Sequence, residues 1–369
     1  MDRQDALVML QQFVIQLTLA GVESKKDFRL WAKDHEDELC ELFDYEPLDG
    51  MPKMGYLVTP HFHPNLPLIG LNYSPLAHNM LYQYPEGWTM QLRMCRGITF
   101  DRHAELVALC LPKFFNAGEN EETKLLPAHP VEVLEKMDGH NGQHFYYSGG
   151  FHVKTRGSFD HKTSELANRM MQELAEKYAW KRQDIRHISL ITEVIHKETH
   201  VICKYRGERL VLIAAFDIRT LQDLPYEKLA ALGKRLGVGV VKRWRFESTQ
   251  DVLAATKDPT IKNREGYVVR VSDGRRVKFK FNAYLKEMVR QKLSYPYLML
   301  RWMDGRLVRV MQTLPEEVIP EAEGMLENLK KARRMRRDIK LRRQFLYGLV
   351  PPEKSTPYYR TVCRDFLRH

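Results

Sequence analysis

A chain of 369 residues with 44% apolar side chains is long enough for two or three domains and apolar enough for a real core, which excludes a disordered or fibrous protein. Its 58 Lys and Arg against 47 Asp and Glu leave a formal net charge of +11, a balance that points to a polyanionic partner. No apolar run approaches a bilayer span, the start lacks a leader pattern and five scattered cysteines form no C-x-x-C pair, so a cytoplasmic protein with reduced thiols, no membrane partner and no zinc is expected.

Ala6, Leu7, Leu10, Phe13, Val14 and Leu17 recur at helical spacing and predict an amphipathic helix over 3–20. Residues 50–95, rich in Pro, Gly and aromatics, read as irregular structure with short strands. From 95 to about 285 strands and hairpins dominate, interrupted by helices near 163–181 and 224–236, the second stopped by Gly237. Three hairpins are expected: 143–147 with 151–155 around Ser-Gly-Gly, 200–205 with 209–216 around Arg-Gly-Glu, and 265–272 with 275–282 around Asp273-Gly274. Beyond 285 the composition shifts. Strands around 297–311 leave the architecture there open, whereas 315–347 is strongly helical. In that helical stretch Lys330, Lys331, Arg333, Arg334, Arg336, Arg337, Lys340, Arg342 and Arg343 crowd together with only Asp338 among them, a density that favours contact with a phosphate backbone over a merely solvated face.

In the central region Lys136 follows a short apolar strand, in Glu135-Lys136-Met137-Asp138-Gly139. A lysine that attacks the α-phosphate of a nucleotide must be neutral, anchored on a rigid element and followed by a turn that brings backbone close to the nucleotide. This stretch supplies those parts, although Asp-Gly turns also recur on solvated surfaces. If Asp273 and Gly274 make a two-residue turn, Val269 faces Lys278, Tyr267 faces Lys280 and Glu265 faces Asn282. Glu265, Lys278 and Lys280 would then share one face, and Val268, Phe279 and Phe281 the other. Such a charged face either discourages edge pairing or holds phosphate and metal. Over 188–195 the alternation groups Glu193 with Ile191 and Ile195, and a carboxylate in that company needs a hydrogen-bonding partner. Lys154 and Arg156 end a strand before Gly157-Ser158, a place to bind phosphate through side chains and amides, and Arg96 and Lys113 each stand beside a turn or an aromatic ring.

Taken in order, Cys95-Arg96-Gly97-Ile98-x-Phe100, Lys113-Phe114-Phe115-Asn116, Glu135-Lys136-x-Asp138-Gly139, Lys154-x-Arg156-Gly157-Ser158, Glu193, Glu265-Gly266-Tyr267-Val268 and Lys278-x-Lys280 resemble the covalent nucleotidyltransferase superfamily. Within it the set is similar to the phage-type RNA ligase 1 family, over roughly 70–285. The resemblance implies an α+β fold. An ATP-grasp-like nucleotidyltransferase domain of antiparallel sheets with flanking helices would occupy 1–285, as an N-terminal subregion (1–95) and a motif-bearing core (96–285). A basic, mainly α-helical C-terminal domain would occupy 286–369.

The same resemblance implies ATP as substrate with Mg²⁺ or Mn²⁺, and Lys136 as the nucleophile that becomes lysyl-AMP. Arg96, Lys113, Lys278 and Lys280 would contact the nucleotide phosphates and Phe115 the adenine; Glu193 would hold the ribose, Glu265 the metal or the ribose, and Gly139 and Arg156 would complete the nucleotide site. The implied reaction joins RNA 5′-phosphate and 3′-hydroxyl ends through an RNA-adenylate, in RNA repair, with nicked tRNA as the candidate substrate. Arg333, Arg334, Arg336 and Arg337 are the candidate RNA contacts. Without a G-x-x-x-x-G-K-[ST] loop, end healing would fall to a separate enzyme. The alternatives are a GTP-dependent capping-type guanylyltransferase and a non-catalytic RNA-binding protein. The chain departs from the family at Arg156, where lysine is usual, and at His140, where serine is. Tyr73, the candidate for a tyrosine expected upstream of Arg96, stands at a long spacing.

Overall fold

The computed structural model describes residues 2–83, 85–199, 201–311, 314, 318–335, 339–350 and 354–369. Asp2 caps the first helix, Arg3–Leu19, by accepting from the amides of Gln4 and Asp5. The side chains this helix buries are the six read from spacing. Together with helices Lys25–Asp34 and Glu36–Leu42 it builds a core in which the Phe13 ring meets Phe28 and Phe43 edge to face.

That core continues onto an antiparallel sheet of β1 (Val58–Phe62), β2 (Leu68–Tyr73), β3 (Arg96–Asp101) and β4 (Leu106–Ala108), paired in that order. The stretch read as irregular structure with short strands does hold two, β1 and β2, and adds helices Met54–Leu57, Pro75–Gln83 and Met90–Met94. Its Pro and Gly residues punctuate these elements instead of abolishing them.

β5 (Phe115–Asn116) and β6 (Pro130–Lys136) belong to a second sheet. The chain then lays down a third, from β7 (His140–Tyr147), β8 (Gly150–Thr155), β9 (Ile188–Ile195), β10 (Arg209–Asp217), β11 (Gln222–Asp223) and β12 (Gly239–Val240). It returns to the second sheet with β13 (Arg243–Trp244), β14 (Gly266–Val271) and β15 (Arg276–Lys280). The second sheet runs β13-β6-β14-β15-β5 and the third β11-β10-β9-β7-β8, with β12 alongside β10. Only the β10–β12 and β15–β5 pairs are parallel among the described strands. Helices Lys162–Lys177 and Tyr226–Leu236 pack on the third sheet, the second ending at Gly237 in a left-handed cap.

The three expected hairpins fare differently. β7 and β8 pair around Ser148-Gly149, both at positive φ, as a two-residue primed turn requires. No strand forms over 201–205, and β10 pairs with β9 instead. The amides of Ile202 and Cys203 are taken up by the Asp138 carboxylate, which leaves that segment without a ladder to offer. The third hairpin forms one residue out of the expected register. Val271 and Arg275 close a three-residue loop, so Val268 faces Lys278 and Gly266 faces Lys280. Tyr267, Val269, Val277 and Phe279 then form the buried face, and Val268 shares the lysine face.

The chain separates into two compact units, Met1–Phe281 and Asn282–His369, slightly N-terminal to a boundary at 285. The second unit is helical where it is described. The region 297–311, expected to hold strands, lies in helices Tyr295–Met303 and Leu307–Met311, the first started by Ser294 accepting from the Tyr297 amide. Farther on come Ile319–Arg334, Ile339–Tyr347 and Pro357–Arg368. No described helix is long and apolar enough to cross a membrane.

Candidate active site

Lys136 is the last residue of β6, a strand paired with β13 and β14. The turn after it is pinned from both sides. The Asp138 carboxylate accepts from the amides of Ile202 (2.8 Å) and Cys203 (2.6 Å), and the Asp138 amide donates to the Tyr205 hydroxyl (2.9 Å). Gly139 must be glycine for lack of room: a Cβ there would lie 2.7 Å from the Val194 carbonyl oxygen and 3.0 Å from Glu193 Cγ. Its amide donates instead to Glu193 Oε1 at 3.0 Å. Lys136 is thus fixed at the edge of a cavity of about 560 Å³.

Arg96, Arg156 and Lys278 supply positive charge to the cavity lining, Glu193 supplies a carboxylate, and Phe114, Ile213 and Val268 supply apolar surface. Arg96 and Lys278 both stand over the Phe114 ring, 5.6 and 5.1 Å from its centre. Arg156 donates to the Tyr73 hydroxyl at 2.6 Å, so the tyrosine with the long spacing does reach the arginine motifs. Burial works against a Tyr73 phenolate, but Arg156, Lys113, Arg96 and Lys278 outweigh it and bring the phenol down to about 8.

The nearest charge to the nucleophile candidate is negative. Glu265 Oε1 lies 2.7 Å from Lys136 Nζ and 3.5 Å from Lys280 Nζ, with the carboxylate only 4% exposed. Glu265 precedes β14, so it meets these lysines although it does not share the face that strand alternation assigned to it. Burial pushes the Glu193 carboxyl up to about 7; Lys136 and the Gly139 amide pull it down, while Glu265 and Asp138 add to the rise.

One cavity thus brings together Arg96, Lys136, Gly139, Arg156, Glu193 and Lys278, with Glu265 and Lys280 joined to Lys136 through ion pairs. The remaining candidates lie elsewhere. Phe115, the first residue of β5, is packed in the core against Trp88, 2% exposed, whereas Phe114, just before the strand, is half-buried and is the ring in the cavity. Lys113 lines an adjoining cavity of about 680 Å³, which shares Leu111, Phe114 and Arg276 with the first. Lys154 is buried and donates to the Gly97 carbonyl (3.2 Å) and Thr99 Oγ1 (3.1 Å), bracing β8 against β3. In the second unit Arg333 stacks on Trp302 and Phe366 and Arg334 is exposed; Arg336 and Arg337 lie outside the described residues.

His161 and Thr163, cavity residues at the start of helix Lys162–Lys177, were not among the expected site residues, although the Gly157-Ser158 step just before them was. The Thr163 hydroxyl is fully buried with no hydrogen-bond partner among the described residues. A helix N-terminus with a spare hydroxyl favours an anion, and Gly157-Ser158 ahead of a helical run was the available signal. No cluster of three or more His, Cys, Asp or Glu side chains is arranged to hold a metal among the described residues. Two carboxylates, Glu193 and Glu265, suit Mg²⁺, which keeps several waters and rides on substrate phosphates.

The sequence profile of a family described as RNA ligase matches residues 94–289, which span this cavity. Among solved structures, an RNA ligase of Naegleria gruberi with PPi is similar at 21% identity and a TM-score of 0.36, over 43% of this chain and 51% of that one. Point mutants of the same ligase are similar too, one with ATP and Mn (20% identity, TM-score 0.37) and one with AMP and Mn (22%, 0.34), over the same 43% and 51%. This chain therefore spans about half the length of the solved ligases it matches. No curated protein matches it.

Proposed function

The chain belongs to the RNA ligase family, and from that premise we propose that it is an ATP-dependent RNA ligase, joining a 5′-phosphate to a 3′-hydroxyl through lysyl-AMP and an RNA-adenylate. The observation that carries this reading is Lys136 Nζ at the edge of a cationic cavity with a carboxylate 2.7 Å away. In the first step Nζ attacks the α-phosphorus of ATP, the N–P bond forms and the bond to pyrophosphate breaks. Glu265 is placed to take the Nζ proton. Arg96, Arg156 and Lys278 stabilise the negative charge that builds on the phosphate oxygens. Glu193, itself held by the Gly139 amide, holds the ribose side of the nucleotide, and Phe114 offers a ring face to the base. Mg²⁺, held by the nucleotide's own phosphates beside these carboxylates, would neutralise charge on the phosphates.

AMP then passes to an RNA 5′-phosphate, and a 3′-hydroxyl displaces it. We take the ends to come from a separate end-healing enzyme, with nicked tRNA as the candidate substrate in an RNA-repair role. The test is incubation with Mg²⁺ and α-labelled ATP or GTP. Covalent label from ATP that is lost in Lys136→Ala is the expected result. Label from GTP alone would make the protein a capping-type enzyme, and no label from either would leave a non-catalytic RNA-binding protein.

A further inference from the structure

Helix Lys25–Asp34 buries Phe28 and Ala32 and turns Lys25, Lys26, Arg29 and Lys33 to solvent along one face. These four cations, with Leu30 and Tyr56, line a shallow surface depression. None of the four forms an ion pair with a carboxylate among the described residues. Of the acids nearby in sequence, Asp27 accepts from Ser24, Glu23 pairs with Arg102 and Glu36 accepts from the amides of Met54 and Gly55, while Asp34 ends the helix exposed. Tyr56 is 51% exposed and Leu30 55%, so a large ring and an apolar side chain stand beside the charges.

This local excess is unusual for its unit. From residue 282 onward 19 Lys and Arg face 10 Asp and Glu, which accounts for +9 of the net +11 and leaves the first unit close to neutral. Four cations against two acids, Asp27 and Asp34, on a ten-residue helix leave a local excess of +2, as large as that of the whole first unit.

A chain of contacts runs from the depression toward the Lys136 cavity, although the two share no lining residue. The Tyr56 carbonyl accepts from Ser74 Oγ at 2.6 Å, next to Tyr73, which holds Arg156. β1 begins opposite Tyr73 and carries His61 opposite Gly70. The His61 ring adjoins Gly157 of the cavity wall, where a Cβ would come 3.9 Å from Nε2, an atom with no hydrogen-bond partner among the described residues. Burial, then the charges of Lys25, Lys154 and Arg156, pulls the His61 imidazole down to about 3, so helix and cavity share one positive field.

We propose that Lys25, Lys26, Arg29, Lys33 and Tyr56 form an RNA-contact surface, in which the cations take the sugar-phosphate backbone of the strand leading to the Lys136 cavity and Tyr56 stacks on one of its bases. The proposal rests on the ligase reading and extends it to where the substrate lies. Single-stranded RNA suits the surface because a backbone track of cations with one exposed ring binds without reading sequence.

The experiment titrates a 5′-phosphorylated, 3′-fluorescein-labelled single-stranded RNA against the full chain and against K25A/K26A/R29A/K33A at several salt concentrations, with self-adenylation measured in parallel. Removing four phosphate contacts should lower the slope of log K against log salt by about 3 and weaken binding at low salt by about tenfold or more. Self-adenylation should stay within about twofold, since these residues lie outside the nucleotide cavity. Tyr56→Ala should weaken binding severalfold and Tyr56→Phe should not. An unchanged slope and affinity in a variant that melts like the wild type overturns the proposal. If the quadruple variant melts early, K26A/R29A decides the same question at half the change in slope. Failure of the wild type to label with ATP would overturn the ligase reading instead, and the RNA titration would still judge the surface.

Discussion

At Gly139 a single methyl group separates a working turn from a blocked one. An alanine Cβ would press on the Val194 carbonyl and on the side chains of Glu193 and Ile195, in a stretch already pinned by Asp138. Gly139→Ala should therefore cost about 1–3 kcal/mol of stability, read from denaturant melts, and reduce self-adenylation further than that loss accounts for, because it displaces the amide that holds Glu193. Glu193 makes a second prediction. Its folded-state value lies above the ordinary 4.5, so the stability it contributes is full below about 4.5 and is lost as pH rises through about 7. Between pH 5 and pH 8 the wild type should lose more Tm than Glu193→Gln, whose side chain does not titrate. Equal losses would mean that this carboxyl does not govern the drop. That Lys136, Arg96, Arg156 and Glu193 meet at one cavity was legible because each belongs to a motif with its own chemistry. The choice between Phe114 and Phe115 was not, since nothing in two adjacent phenylalanines says which of them the core takes.

The β14–β15 hairpin shows the same limit one level up. Asp273-Gly274 fits a two-residue primed turn and also a three-residue loop ending in a left-handed glycine, and local sequence does not choose between them. Packing chooses: the observed register buries Tyr267, Val269, Val277 and Phe279 together, which the expected one would have divided between two faces. Gly274 makes that loop possible, at φ +84 with open space around its Cα. Gly274→Ala should consequently act through backbone strain alone, lowering stability by about 1–2 kcal/mol. The strain falls far along the hairpin from Lys280, so self-adenylation by the folded variant should be close to normal. A change above about 3 kcal/mol would point to a clash that the structure does not contain. The absent strand over 201–205 has a different origin. Its residues alternate well enough, but the Asp138 carboxylate claims two of its amides, a tertiary demand made from more than sixty positions away.

Across the whole molecule, chemistry and charge are divided between the units. Every residue lining the Lys136 cavity falls within Met1–Phe281, whereas most of the net positive charge follows residue 282. The basic composition of the second unit was plain in the sequence; which of its cations are free to meet a polyanion was not, because a guanidinium can face solvent or stack on rings. Arg333 and Arg334 differ in this respect, Arg333 lying 5.5 Å from the ring centres of both Trp302 and Phe366 while Arg334 is exposed. Stacking of this kind is worth about 0.5–1 kcal/mol per ring. Arg333→Ala should thus lower the melting temperature of the second unit, with any loss of RNA affinity following from that. Arg334→Ala should leave the melt unchanged and take about 0.7 from the salt slope of single-stranded RNA binding, the share of one phosphate contact. On the ligase reading neither variant should slow self-adenylation, since the described residues that line the Lys136 cavity all precede residue 282. Paired melts, RNA titrations and label incorporation separate these outcomes, and slow labelling by a well-folded Arg334→Ala would show that the division between the units is not as clean as their composition implies.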